Sequence, residues 1–264
     1  MGFLTDHNAY RRQETAQRRL EQPENQLREQ VAQRGPCRDF AGALLAAEAP
    51  GIIAEVKFRS PSKGTLRPAQ DVETVAESYQ QAGASCLSVL VDSKHFGGDW
   101  SFLDRAGKAC GLPLLAKGFF CDPYDLLEAR ACGADAALLI ARSLSRTELE
   151  TMLGVARELG LQTLLELHDE ADLEKAQGLE LDLVGVNHRD LDTLVMDMDL
   201  SQSIAEHMPP ARVRVAESGL NTAEDLKRMV GLGYQAVLMG TRFMSQPEPG
   251  LELAELLKDL RATR

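Results

Sequence analysis

A closed (β/α)8 barrel of the α/β class is the fold this sequence predicts, and three observations predict it. Eight short apolar runs follow one another between residues 52 and 240, without the clean apolar–polar alternation of a half-exposed strand. Stretches with helical spacing separate the runs, and several of them stop at glycine. The repeat is about 26 residues long, so eight strand–helix units close a TIM barrel. An open doubly wound sheet is the competing topology. It normally has fewer strands and a glycine-rich first turn, which is absent here.

Residues 1–48 stand apart from that pattern. They are rich in Gln, Glu and Arg with weak apolar periodicity, which predicts an N-terminal helical extension of one or two exposed helices ending near Gly35-Pro36. Such an extension is either a solvated arm or a helix that caps a site. The barrel domain is then 49–264. Its strands are, in order, IIAEVK (52–57), CLSVLV (86–91), PLLAK (113–117), AALLIA (136–141), TLLEL (163–167), LVGVN (183–187), VRVAE (213–217) and AVLMG (236–240). Helices expected at 73–83, 123–133, 147–160, 170–177 and 223–233 connect them. The segment Ser60-Pro61-Ser62-Lys63-Gly64 has the composition of a mobile loop over the barrel mouth.

Composition narrows the function. With 264 residues, 44% of them hydrophobic, the chain can bury a large core. Forty acidic residues against 29 basic ones argue against a nucleic-acid partner, although a few basic groups inside a pocket still suit a small anion. No apolar run approaches the roughly 20 residues of a membrane helix, and the first residues are polar too early for a secretory signal. The five cysteines form no C-x-x-C pair and the histidines have no ligand spacing, so neither a disulfide framework nor a metal is expected and a cytoplasmic location fits.

Barrel chemistry sits at the carboxyl ends of the strands, and here those ends are polar: Glu55 and Lys57, Lys117, Glu166, Asn187 and Arg189, then Glu217 and Ser218. Any one of them is accounted for equally well by an ion pair or a solvated strand end. Together on one rim they form a set of groups that perturb each other's pKa, which suits proton transfer. A lysine near other cations and partly desolvated is expected to have its pKa lowered. The loops Glu217-Ser218-Gly219 and Gly240-Thr241-Arg242 follow the last two strands, where barrels often hold phosphate. Phe96 offers an aromatic wall, Trp100 reads as packing, and His188 points away from Asn187 if the strand continues.

Taken together these residues resemble the indole-3-glycerol phosphate synthase family. The resemblance rests on Ile53-Ala54-Glu55-Val56-Lys57 with the 60–64 loop, Leu112-Pro113-Leu114-Leu115-Ala116-Lys117 with Phe119, and Asp122-Pro123-Tyr124. It continues through Leu165-Glu166-Leu167-His168-Asp169, Gly185-Val186-Asn187 with Arg189-Asp190-Leu191, and Ala216-Glu217-Ser218-Gly219, over about residues 40–260. It implies a cofactor-free lyase of tryptophan biosynthesis acting on a phosphorylated substrate, 1-(2-carboxyphenylamino)-1-deoxyribulose 5-phosphate. Lys117 would be the general acid, Lys57 a partner of the substrate carboxylate or a later proton donor, and Glu166 an acid–base group. Glu55, Asn187, Arg189, Glu217 and Ser218 match the surrounding polar shell and Ser60 the loop. Gly219, Gly240 and Thr241 would hold phosphate, and Phe96, Phe119, Leu191 and Leu194 would wall the aromatic ring.

The chain departs from the family pattern at three places. Gly118 stands where the family has an acidic residue beside the lysine, which is expected to alter that lysine's charge environment. His188 stands for Asn or Ser, and Asp6-His7-Asn8-Ala9 stands where an apolar helix and a Lys are expected. A paralogue with an altered substrate in specialised metabolism, a Schiff-base aldolase, and a non-catalytic phosphate-binding barrel are the other readings. Association with other tryptophan-pathway enzymes stays open.

Overall fold

The computed structural model describes residues 2–48, 50–61, 63–68 and 71–262; Ser62 of the loop motif lies outside the described residues, as does Met1. In chain order the strands are β1 (Gly51–Val56), the short β2 (Arg59–Ser60) and β3 (Gly64–Thr65), β4 (Cys86–Leu90), β5 (Leu114–Lys117), β6 (Ala136–Ile140), β7 (Gln162–Leu167), β8 (Leu181–Asn187), β9 (Ala211–Glu217) and β10 (Ala236–Met239). Eight of them close a parallel barrel in the order β1-β10-β9-β8-β7-β6-β5-β4, so each predicted run is a barrel strand and the open-sheet topology is excluded.

The helices are α1 (Phe3–Glu21), α2 (Glu24–Ala32), α3 (Phe40–Leu45), α4 (Val72–Ala82), α5 (Ser93–Phe96), α6 (Ser101–Ala109), α7 (Pro123–Ala131), α8 (Arg146–Glu158), α9 (Glu170–Ala176), α10 (Leu200–Ile204), α11 (Ala223–Gly231), α12 (Thr241–Met244) and α13 (Pro249–Ala262). Three starts are set by capping boxes, in which an N-cap side chain and the acidic residue three positions on satisfy each other's backbone N–H. These are Asp122 with Asp125, Ser145 with Glu148, and Thr222 with Asp225. None of the described helices is long and apolar enough to cross a membrane.

Strand alternation separates two apolar cores. Outward residues such as Val56, Leu87, Ala116, Leu139 and Leu165 pack under the helix ring. Inward residues such as Ile53, Leu115, Leu164, Leu183 and Val215 fill the barrel. The short helix α3 joins this inner core through Phe40, Ala41 and Leu44, closing the end from which the strands start. Burying Phe40 and Leu44 contributes about 1.5–3 kcal/mol each.

The extension differs from the exposed helices expected of it. Its first helix buries Leu4, His7, Arg11 and Thr15. The His7 ring pairs with Asp92 at 2.7 Å, and Thr15 donates to Asp125 at 2.7 Å while Arg18 reaches the same carboxylate at 2.8 Å. These buried polar groups carry the docking, so hydropathy alone reads the segment as solvated. The 60–64 segment also differs from a plain loop. Its two ends, Ser60 and Gly64, pair in the antiparallel β2–β3 ladder, with Ser60 buried and its hydroxyl accepting from the Lys63 N–H at 3.1 Å.

Candidate active site

At the carboxyl ends of the strands lies a cavity of about 490 Å³. All sixteen candidate residues border it. Glu55 and Lys57 come from the end of β1 and the residue beyond it, Ser60 from the hairpin, Lys117 from β5, Glu166 from β7, Asn187 from β8 and Glu217 from β9. Phe96 and Phe119 come from the loops after β4 and β5, Arg189, Leu191 and Leu194 from the loop after β8, and Ser218, Gly219, Gly240 and Thr241 from the loops after β9 and β10. Sequence reasoning missed Phe3, Met196, Met198 and two residues of β6, Leu138 and Ile140. The β6 pair was recoverable from strand alternation, but that run has no polar tip to draw attention. Phe3 reaches the cavity only because α1 docks over the mouth, where the Leu4 N–H donates to Asp192 at 2.8 Å.

Lys117 is the centre of the charge array. Its Nζ lies 2.8 Å from a Glu166 oxygen and 2.5 Å from a Glu217 oxygen, and Lys57 pairs with Glu55 beside it. Asn187 orients Glu166 by donating to Oε1 at 3.1 Å, and its own carbonyl accepts from the Arg189 N–H at 3.0 Å. His168 comes from behind, its Nε2 3.1 Å from the same Glu166 Oε1 and its Nδ1 3.6 Å from Asp172. Arg142 then ties Asp172 to Asp190 at 3.2 and 3.0 Å, linking the strand end to the loop that carries Leu191 and Leu194.

The electrostatics follow from these neighbours. Burial opposes the charge on Lys117, but Glu166, Glu217 and Glu55 outweigh it and hold the ammonium well above the ordinary lysine range. The expected lowering is therefore corrected: carboxylates surround this lysine, not cations. Burial also opposes ionisation of Glu166, but Lys117 and His168 win and keep it well below the usual carboxylate range. For Glu217 burial dominates and pushes the carboxyl up, with the charge of Glu166 adding to it. Burial disfavours His168 as a cation, yet Asp172 and Glu166 raise it to about 9. Two carboxyls on one lysine are thus split, one anionic and one disposed to keep a proton.

Two inward-facing glycines make room for the carboxylates. A Cβ at Gly185 would lie 2.4 Å from Glu217 Oε1, and one at Gly240 would lie 2.4 Å from Glu55 Oε2. Gly118 has a different reason. A Cβ there would meet the Phe120 ring at 2.8 Å and Val91 at 3.0 Å, and Phe120 stacks on Trp100. The space beside position 118 belongs to that aromatic pair, and the charge environment of Lys117 is set by Glu166, Glu217 and Glu55 instead. Ser218 and Leu194 both adopt positive φ, 66° and 61°, without being glycine, at a cost of about 1–3 kcal/mol each.

Comparison with known proteins places the chain. The profile of the family described as indole-3-glycerol phosphate synthase matches residues 4–256. The indole-3-glycerol phosphate synthase of Albidiferax ferrireducens is 41% identical over 251 residues, covering 94% of this chain and 95% of that protein. The enzyme of the same name from Laribacter hongkongensis is 41% identical over 252 residues, covering 94% and 96%. Among solved structures, 3-hexulose-6-phosphate synthase from Salmonella typhimurium aligns with a TM-score of 0.65 at 13% identity, over 81% of this chain and all of that one. A tryptophan synthase α-subunit from Pyrococcus furiosus gives 0.60 at 12%, over 81% and 98%. These two likenesses show a shared fold.

Proposed function

The chain belongs to the indole-3-glycerol phosphate synthase family and carries that lyase activity, and from this premise we propose which residues perform it. The observation that carries the assignment is the Lys117 ammonium held between Glu166 and Glu217 at the cavity floor. The family reaction closes a ring by attack of an aromatic carbon on the ribulose carbonyl of 1-(2-carboxyphenylamino)-1-deoxyribulose 5-phosphate. Carbon dioxide and then water are lost.

In this reading Lys117 donates a proton to the carbonyl oxygen as the carbon–carbon bond forms, and its raised pKa keeps it charged until substrate arrives. Lys57 faces the substrate carboxylate. Glu166, anionic, accepts the proton removed during dehydration, while Glu217, disposed to hold one, supplies a hydrogen-bond donor to the departing oxygen. Glu55 steadies Lys57, and Asn187 steadies Glu166. Ser218, Gly219, Gly240 and Thr241 anchor the phosphate, and Phe96, Phe119, Leu191 and Leu194 wall the ring, with Ser60 and Arg189 on the substrate's flanks. Anchors at two ends hold carbonyl and ring in a near-attack geometry.

The same reading treats residues 1–48 as an extension of a catalytic barrel at 49–264, with α1 as its roof. It places the chain, whose five cysteines are free thiols, in the cytoplasm. The test is growth of indole fluorescence on adding the substrate, with Lys117→Ala alongside. Turnover in the parent and a loss of at least about a hundredfold in the variant support these roles. Undiminished turnover in a folded Lys117→Ala protein refutes them.

A further inference from the structure

We propose that His188 is a positioning residue for the phosphate-binding turn, holding Ser218 in its left-handed conformation so that the Gly219 N–H points into the cavity. The inference rests on the reading that Ser218 and Gly219 hold the phosphate. His188 follows Asn187 and points to the other side of the strand, where it is 1% exposed. Both ring nitrogens have partners: Nδ1 lies 3.0 Å from the Ser218 carbonyl oxygen and Nε2 lies 2.6 Å from the Ser201 hydroxyl of α10. Its backbone is pinned too, the N–H donating to the Glu217 carbonyl at 3.1 Å and the carbonyl accepting from the Asp197 N–H at 2.8 Å.

A carbonyl only accepts, so Nδ1 carries the proton and Nε2 accepts from the serine hydroxyl. Ser201 is itself fully buried, and its carbonyl accepts from the Tyr234 hydroxyl at 3.0 Å, so the far end of the relay is fixed. The consequence comes from peptide geometry. Across a trans peptide the carbonyl of one residue and the N–H of the next point in opposite directions, and no described peptide bond is cis. With the Ser218 carbonyl drawn outward to His188, the Gly219 N–H is turned the other way, toward the cavity that Ser218 and Gly219 line. Ser218 has φ 66° as a non-glycine residue, a conformation that persists only where the surroundings enforce it.

The experiment compares the parent, His188→Ala and His188→Asn. In His188→Ala we expect KM and the inhibition constant for inorganic phosphate to rise together by about three- to tenfold, the loss of one positioning hydrogen bond, with kcat within about twofold. His188→Asn, whose amide N–H replaces the Nδ1 donor, should restore both constants. A merely structural histidine would lower the melting temperature and leave them unmoved. A folded His188→Ala protein with parental KM and phosphate inhibition therefore overturns the proposal. Nitrogen NMR of the histidine-labelled parent tests it without any variant: the Nδ1–H tautomer supports it and the Nε2–H tautomer overturns it. In uniformly nitrogen-labelled protein, phosphate that leaves the Gly219 amide resonance in place refutes the phosphate reading itself, a failure distinct from the first.

Discussion

At the amino ends of the strands the barrel interior holds Ile53, Leu115, Leu164 and Val215 above the α3 plug; two residues further along, the same inward positions hold Glu55, Lys117, Glu166 and Glu217. The first set and the three glutamates are buried, Lys117 keeps only 12% of its side chain exposed, and all sit on the same strands, so strand propensity does not distinguish the two sets. The lower set is held by apolar contact alone. The upper set is held by ion pairs whose members, taken singly, would be costly to bury. Stability is concentrated at one end and chemistry at the other, with a boundary only one strand repeat wide.

The largest effect expected from breaking this comparison is at the upper end. Glu166→Gln should lower kcat by about 10²–10⁴-fold, measured by indole fluorescence on protein shown to be folded. A variant that keeps parental kcat would mean the upper charges are structural after all. The mirror experiment is Phe40→Ala in the plug, which should cost about 3–5 kcal/mol in urea unfolding and leave kcat of the folded protein close to the parent's. Loss of kcat there in step with stability would erase the division.

The pattern of what could be read from sequence follows the same line. Strand tips such as Lys117 and Glu166 were legible because a charge at the end of an apolar run is anomalous. The docking of α1 was only half legible, a solvated arm and a capping helix fitting equally, because α1 docks through His7, Arg11 and Thr15, whose polarity imitates a solvated face. His168 escaped as well: strand alternation sets it on the side of Glu166, but it lies just past the end of β7 and touches Glu166 from outside the cavity.

That histidine gives a pH test. Its pKa, raised to about 9, makes its contribution to stability complete below the unfolded value near 6.5 and lost as pH rises through about 9, at most about 3 kcal/mol. His168→Gln should flatten the parent's decline across that window. It should also move the acid limb of kcat to higher pH, because Glu166 loses a cation that keeps it ionised. An unchanged acid limb would remove His168 from the array. Subtlest is Gly185→Ala, which should displace Glu217 and cost roughly tenfold in kcat with a smaller change in stability; an unaffected rate would show that the carboxylate needs no reserved seat.

Gly185 also bears on how a mutational scan of this protein should be interpreted. Every missense change at a glycine codon adds at least a Cβ, and at this position any Cβ falls on the Glu217 carboxylate. The residue does not border the cavity, yet a deep scan scored on growth would mark it as sensitive, below the proton-transfer groups and above ordinary strand positions. Intolerance at position 185 would be the signature of a void kept for a neighbour, and a library built to change substrate preference should leave that position fixed while sampling the rim.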